Sequence, residues 1–148
     1  MDHKLSADDR FAIADLYYNY SFYMDDGEAQ KLGDLFTEDA RFELPGTEPL
    51  AGRDAMIGMC ENAELSRPSM RHILSGVVAE PASFGATGRA YLQAFRYDET
   101  TVTLLSMGEY VDDLVRDRGT WRFKRRRFNM LIPTTLSSLT LATVPAFR

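Results

Sequence analysis

One cysteine, Cys60, stands in this 148-residue chain, which excludes an internal disulfide and frees the fold from any need for an oxidising compartment. Histidine is almost as scarce, with only His3 and His72 present. Metal catalysis draws on His-rich or Cys-rich ligand sets, which the chain cannot supply, so no metal and no cofactor is expected. Positive charge is in deficit: 17 Lys and Arg against 22 Asp and Glu leave a net charge of −5. Nucleic-acid binding needs a basic surface to neutralise phosphates, so no nucleic-acid partner is expected. No run of about 18 apolar residues occurs, so no membrane span is expected either. The opening "MDHKLSADDR" is too polar for a secretory signal, and a cytoplasmic location is the expectation. A Gly-rich phosphate loop and a G-x-S-x-G elbow are both missing.

What remains is an ordinary globular composition, 45% hydrophobic and 26% charged, in a length that suits a single domain over residues 1–148 with a real core. Ser6 followed by Asp9 reads as a helix N-cap with an acidic third residue. Behind it Ile13, Leu16, Tyr17, Tyr20 and Met24 recur at helical spacing. Phe11, Tyr18 and Phe22 make a second stripe, so the helix is expected to be covered on more than one side. Gly27 is a plausible terminator. "EAQKLGDLF" reads as a short helix, "ARFELPG" as a short strand, and the residues after Gly52 as a third helix with Met56, Met59, Cys60 and Ala63 on one stripe. After Pro68 the period changes from 3.6 to 2, giving four long strands in "SMRHILSGVVAE", "FGATGRAYLQAFRYD", "TVTLLSMGEYVDDLVRD" and "TWRFKRRRFNML". Helices first and strands afterwards is an α+β order.

Two polar residues stand out against the apolar patterning. His72 alternates with Met70, Leu74, Gly76 and Val78 on one face of its strand; a lone imidazole there is either a satisfied core histidine or a working base. Asp25 ends "YYNYSFYMDD", at the less favourable end of a helix dipole for a carboxylate. It is either a solvated turn acid or, if it faces inward, a group that needs a donor. A carboxylate on one imidazole nitrogen would orient the ring and leave the other nitrogen as a base. Tyr17, Tyr18, Tyr20 and Tyr23 are mainly packing residues, any one of which could donate to a substrate oxygen. Tyr20 and Asp25 lie about 140° apart around an ideal helix, so they share a pocket only if the helix loosens or the pocket wraps around it. In "WRFKRRRF" the alternation puts Arg122, Lys124 and Arg126 on a solvated face, and Trp121, Phe123, Arg125 and Arg127 on the other. Arg125 or Arg127 is then placed to balance an anion in a cavity.

Taken in order, "YNYSFYMDD", "LGDLFTEDARFELPG", "LAGRDAMIGM", "SMRHILSGVV" and "MGEYVDDLVRDRGTWRFKRRRF" resemble SnoaL-like members of the nuclear transport factor 2-like superfamily, as far as about Asn129. The resemblance implies a cystatin-like α+β cone: a strongly bent antiparallel sheet wrapped around a long N-terminal helix, with a pocket at the open end. It narrows toward scytalone dehydratase, bile-acid 7α-dehydratase and hexachlorocyclohexane dehydrochlorinase, which use an Asp–His pair matched here by Asp25 and His72. Tyr20 is similar to the pocket tyrosine of the bile-acid enzyme, and Arg127 to an arginine of the dehydrochlorinase pocket. The second histidine of scytalone dehydratase has no equivalent. The implied function is a cofactor-independent lyase or isomerase acting on a hydrophobic cyclic small molecule, with His72 as base, Asp25 and Tyr20 beside it, and Arg127, Tyr17, Met70 and Leu74 around the substrate. The alternative is a non-catalytic scaffold resembling the small β subunit of aromatic-ring-hydroxylating dioxygenases, or a small-molecule binding protein. Exposed sheet faces in this architecture commonly pair, so a homodimer or homotrimer is expected.

Overall fold

Ser6 opens the first helix as its spacing predicts. Its Oγ accepts the Asp9 amide at 3.1 Å, while the Asp9 carboxylate accepts the Ser6 amide at 2.9 Å, a full reciprocal capping box. The helix, α1 (Ala7–Asp26), stays regular to its end and stops at Gly27. The computed structural model describes residues 4–63, 67–131 and 139–141. After α1 come α2 (Ala29–Asp34), β1 (Phe36–Glu43), β2 (Leu50–Ala51) and α3 (Arg53–Asn62). A short 3₁₀ turn at Arg67–Ser69 leads into β3 (Met70–Ala82), β4 (Gly85–Tyr97), β5 (Val102–Asp117) and β6 (Thr120–Met130), with β7 (Leu139–Leu141) last. Of the C-terminal stretch 132–148, only β7 lies within the described residues.

The strands form one strongly curved sheet in the order β2-β1-β6-β5-β4-β3, with β7 paired to the start of β5. Neighbours run antiparallel except β1 and β6, which are parallel. That single parallel pair departs from the all-antiparallel expectation. It arises because β1 and β6 are joined through the rest of the chain rather than by a hairpin, and only hairpin partners are bound to run antiparallel. The sheet wraps around the stripe of α1 formed by Ile13, Leu16, Tyr17 and Tyr20, which meets Phe36, Phe42, Tyr110, Leu114, Phe123 and Phe128 from the strands. Met56 and Cys60 of α3 close the core. This packing is an α+β cone built on the N-terminal helix. No helix among the described residues is long and apolar enough to cross a membrane.

Two of the sheet's register shifts, in β3 and β6, change which of the expected side chains face inward. In β3 the register slips between Ser75 and Val78, where Gly76 takes φ 63°, a conformation that glycine reaches without the Cβ penalty. Met70, His72 and Leu74 therefore share the inner face as expected, but Val77 and Ala79 replace Gly76 and Val78 on it. In β6 Phe123 pairs with Leu114 and Arg125 with Asp113, leaving Lys124 as the extra residue. A one-residue slip sends every later side chain to the opposite face. The expected parity of the basic run is thereby reversed beyond Lys124: Arg126 is buried, whereas Arg125 and Arg127 are not.

The second aromatic stripe of α1 also departs from expectation. Phe11, Tyr18 and Phe22 are 72%, 44% and 65% exposed, so this chain by itself covers the helix mainly on the side facing the sheet.

Candidate functional site

Asp25 has a partner. β3 is the last strand in the sheet order, so one edge of its backbone has no strand beside it among the described residues. The end of α1 fills that gap: Asp25 Oδ2 accepts the His72 backbone amide at 2.9 Å. Its other oxygen, Oδ1, meets His72 Nδ1 at 2.6 Å. A carboxylate gripping both the amide and the ring of one residue fixes the side chain against its own backbone. The unfavourable helix-dipole position of Asp25 is offset by these two donors. Asp26, next in sequence, is exposed and carries no such contact.

An ionised carboxylate only accepts, so Nδ1 carries the hydrogen of this contact, which in a neutral imidazole leaves the lone pair on Nε2. Among the described residues Nε2 has no hydrogen-bond partner. The pair is shielded without being sealed, with side-chain exposures of 15% for His72 and 8% for Asp25. It borders a groove of about 330 Å³ between α1 and β3. Tyr18, Ser21 and Phe22 form the helix wall, and Ile73 and Leu74 with Arg71 form the strand wall. A volume of this size suits a ligand of one or two fused rings, at the lower end of small-molecule sites.

The groove wall on α1 has a simple origin. Positions 18, 21, 22 and 25 follow i, i+3, i+4, i+7 spacing, which is one face of a helix. Tyr20 belongs to the other stripe. Since the helix does not loosen before Asp26, the separation of about 140° persists. Tyr20 is 3% exposed and sits in the core, edge-on to Phe36, Tyr110 and Phe123. It does not line this groove. Burial pushes the hydroxyls of Tyr20 and Tyr110 above the ordinary phenol value, so both stay protonated.

The core around Tyr20 holds a second acid–base pair that the alternation pattern missed. Arg126 donates from Nε and Nη2 to the two oxygens of Asp112, at 3.0 and 2.9 Å. Tyr17, expected beside the substrate, instead donates its hydroxyl to Asp112 at 2.5 Å and is fully buried. Gly88 makes room for this contact, because a Cβ there would stand 2.4 Å from the Tyr17 hydroxyl. Both Arg126 and Asp112 have no exposed side-chain surface. The guanidinium carbon lies 3.9 Å from the ring centres of Tyr110 and Phe123 and 4.3 Å from that of Tyr20. Burial lowers the Arg126 pKa, but Asp112 outweighs it and raises the value overall, so the charge is permanent. Nη1 of Arg126 has no partner among the described residues.

Of the remaining expected residues, Leu74 lines the groove and is 8% exposed. Met70 is half-buried on the same strand face but does not border the groove. Arg127 points away from the core and stands 3.8 Å from Asp113, on the face opposite Arg126. Among the described residues no group of three or more His, Cys, Asp and Glu is placed to hold a metal ion.

Known proteins share this fold. A family model described as a SnoaL-like domain matches residues 6–127. A Novosphingobium aromaticivorans structure, provisionally described as a scytalone dehydratase, is 26% identical with a TM-score of 0.73 and covers 93% of each chain. A Mycobacterium tuberculosis protein of unknown function, Rv3472 carrying a D26N substitution, is also 26% identical; its TM-score is 0.75, covering 84% of this chain and 73% of that one. An NTF2-like protein with a cystatin-like fold, again from N. aromaticivorans, reaches a TM-score of 0.80 at 22% identity, covering 88% and 86%, and bears on the fold alone. No curated protein matches the chain.

Proposed function

The chain belongs to the SnoaL-like domain family, and from that premise we propose that it is a cofactor-independent lyase or isomerase whose substrate is a hydrophobic cyclic small molecule. His72 Nε2 removes a proton from a carbon atom. The C–H electron pair moves into a new double bond, and charge accumulates on a neighbouring oxygen or leaves with a departing group. In isomerisation the imidazolium returns its proton to a second carbon; in elimination of water it protonates the leaving oxygen. Asp25 accepts from Nδ1 throughout, holds the tautomer and stabilises the imidazolium that forms. Catalysis on this reading resides in orientation and in one well-placed base.

The observation that carries the reading is the Nδ1–Oδ1 contact of 2.6 Å beside a groove, with Nε2 bonded to no group among the described residues. A scaffold role gives a use to the exposed rings of Phe11 and Phe22, but gives none to an imidazole oriented in this way. Those same rings support a homodimer or homotrimer. The test is proton exchange into 2-tetralone, a fused-ring ketone with acidic C–H bonds that fits the groove volume. In D₂O the wild-type protein should accelerate deuterium incorporation measured by NMR. His72→Ala should lower that acceleration by about 10²–10⁴-fold. Equal exchange by wild type and His72→Ala would remove the base from the mechanism.

A further inference from the structure

Ser21 is the polar side chain of the helix wall that is buried without a hydrogen-bond partner among the described residues. Ser21 is 6% exposed, and its Oγ is buried without a hydrogen-bond partner among the described residues. Helical serines commonly donate back to the carbonyl four residues earlier, but that bond is not made here. Packing does not ask for the hydroxyl, since alanine is the better helix former and would fill the position without a polar atom. Buried hydroxyls left unpaired are rare because they lose water and gain nothing.

Ser21 also borders the groove that contains Asp25 and His72. It lies one turn before Asp25 on the same helix face, a rise of about 6 Å. That rise is about the width of a ring, and Asp25 at its far end holds the imidazole of His72. Tyr18, Phe22 and Leu74 give the space between them apolar walls.

We infer that Ser21 Oγ–H donates to an oxygen substituent of the substrate, so that the groove selects oxygenated rings over their hydrocarbon counterparts. The inference rests on the groove being the substrate site, as the proposed function has it, but not on proton transfer. Turning χ1 to another staggered rotamer carries Oγ from its buried position toward the groove, where its hydrogen orients to suit a ligand acceptor. A carbonyl or phenol held there presents the C–H bonds across the ring to Nε2.

The experiment compares 2-tetralone with tetralin, the same fused rings without the oxygen. Binding is read from the imidazole signals of ¹⁵N-labelled protein, which has only His3 and His72 to report. Wild type should bind 2-tetralone about tenfold more tightly than tetralin, the usual size of one net hydrogen bond. Ser21→Ala should bring the two affinities together while leaving that for tetralin in place, and Ser21→Thr, which keeps the hydroxyl, should restore the preference. Tyr20→Phe should leave the preference intact. An undiminished preference in Ser21→Ala overturns the inference. So does loss of the preference in Tyr20→Phe alone, which would put the oxygen on the core side of the helix, and so does failure of both compounds to shift His72. Selective binding without deuterium exchange would leave Ser21 in its role and remove only the catalytic base.

Discussion

Two of the molecule's pairings of a carboxylate with a nitrogen base, one in the core and one at the sheet edge, are built from similar parts in opposite settings. Asp112 and Arg126 are closed off on all sides, bidentate, and surrounded by aromatic rings. Asp25 and His72 sit at a sheet edge, partly exposed, with a groove against them. The first pair cannot exchange a proton usefully, because a guanidinium does not give one up in the working range. The second contains an imidazole, a side chain that can both take up and release a proton, and its second nitrogen has no hydrogen-bond partner among the described residues. What separates the two pairs is therefore the identity of the nitrogen base and its access to the groove, more than the quality of the hydrogen bonds.

The largest effect expected from breaking this contrast is on stability. Asp112→Ala would leave the Arg126 guanidinium buried without its counter-charge and the Tyr17 hydroxyl without its acceptor. Loss of one partner of a sealed pair costs about 3–5 kcal/mol, a large share of a domain's stability. Urea unfolding would read it. Replacing both partners by apolar residues, Asp112→Leu with Arg126→Met, should recover much of that loss, because no charge is then stranded. If the double variant were no better than Asp112→Ala, the pair would be contributing more than charge balance to the core.

Asp25→Asn inverts the pattern. The substitution keeps the size of the side chain but no longer demands the hydrogen on Nδ1, so the tautomer with a free Nε2 loses its preference. Exchange into 2-tetralone should fall by up to about 10²-fold, less than for His72→Ala because the base itself survives. Stability should drop by only about 1 kcal/mol, the net value of a hydrogen bond at a partly exposed site. A stability loss as large as that of Asp112→Ala would make the outer pair a structural element like the inner one.

The two pairs differ as much in how far they could be seen in the sequence. Asp25 and His72 were legible because histidine is so scarce that a carboxylate ending a buried helix had one imidazole to meet in the core. The helix, its caps and the four long strands followed from periodicity, which burial on one face enforces. Arg126 was hidden by the bulge at Lys124. Alternation predicts faces only while the strand stays regular, and nothing local in "FKRRRF" marks the residue that slips out of register. Gly76 hid a similar slip in β3, though a glycine inside a strand pattern is a recognised mark of one. Ser21 gave no signal, since a serine among tyrosines on a helix reads as neutral until its neighbours are known. Joining Tyr18 and Phe22 to Asp25 by i+7 and i+3 spacing would have placed the acid on the outer stripe, away from Tyr20.

The smallest effect belongs to the residue that the bulge moved out of the pocket. Arg127 faces Asp113 across 3.8 Å with about a third of its side chain exposed, a separation and setting in which an ion pair contributes little. Arg127→Ala should change stability by no more than about 0.5 kcal/mol and leave exchange at the wild-type rate. The neighbouring Arg126→Ala differs by one position in sequence and should behave like Asp112→Ala, with Asp112 now the stranded charge. Chemical denaturation of these two adjacent variants is a direct reading of the slip at Lys124. Were the strand regular, the large and small effects would change places, because Arg127 would then face the core and Arg126 the solvent.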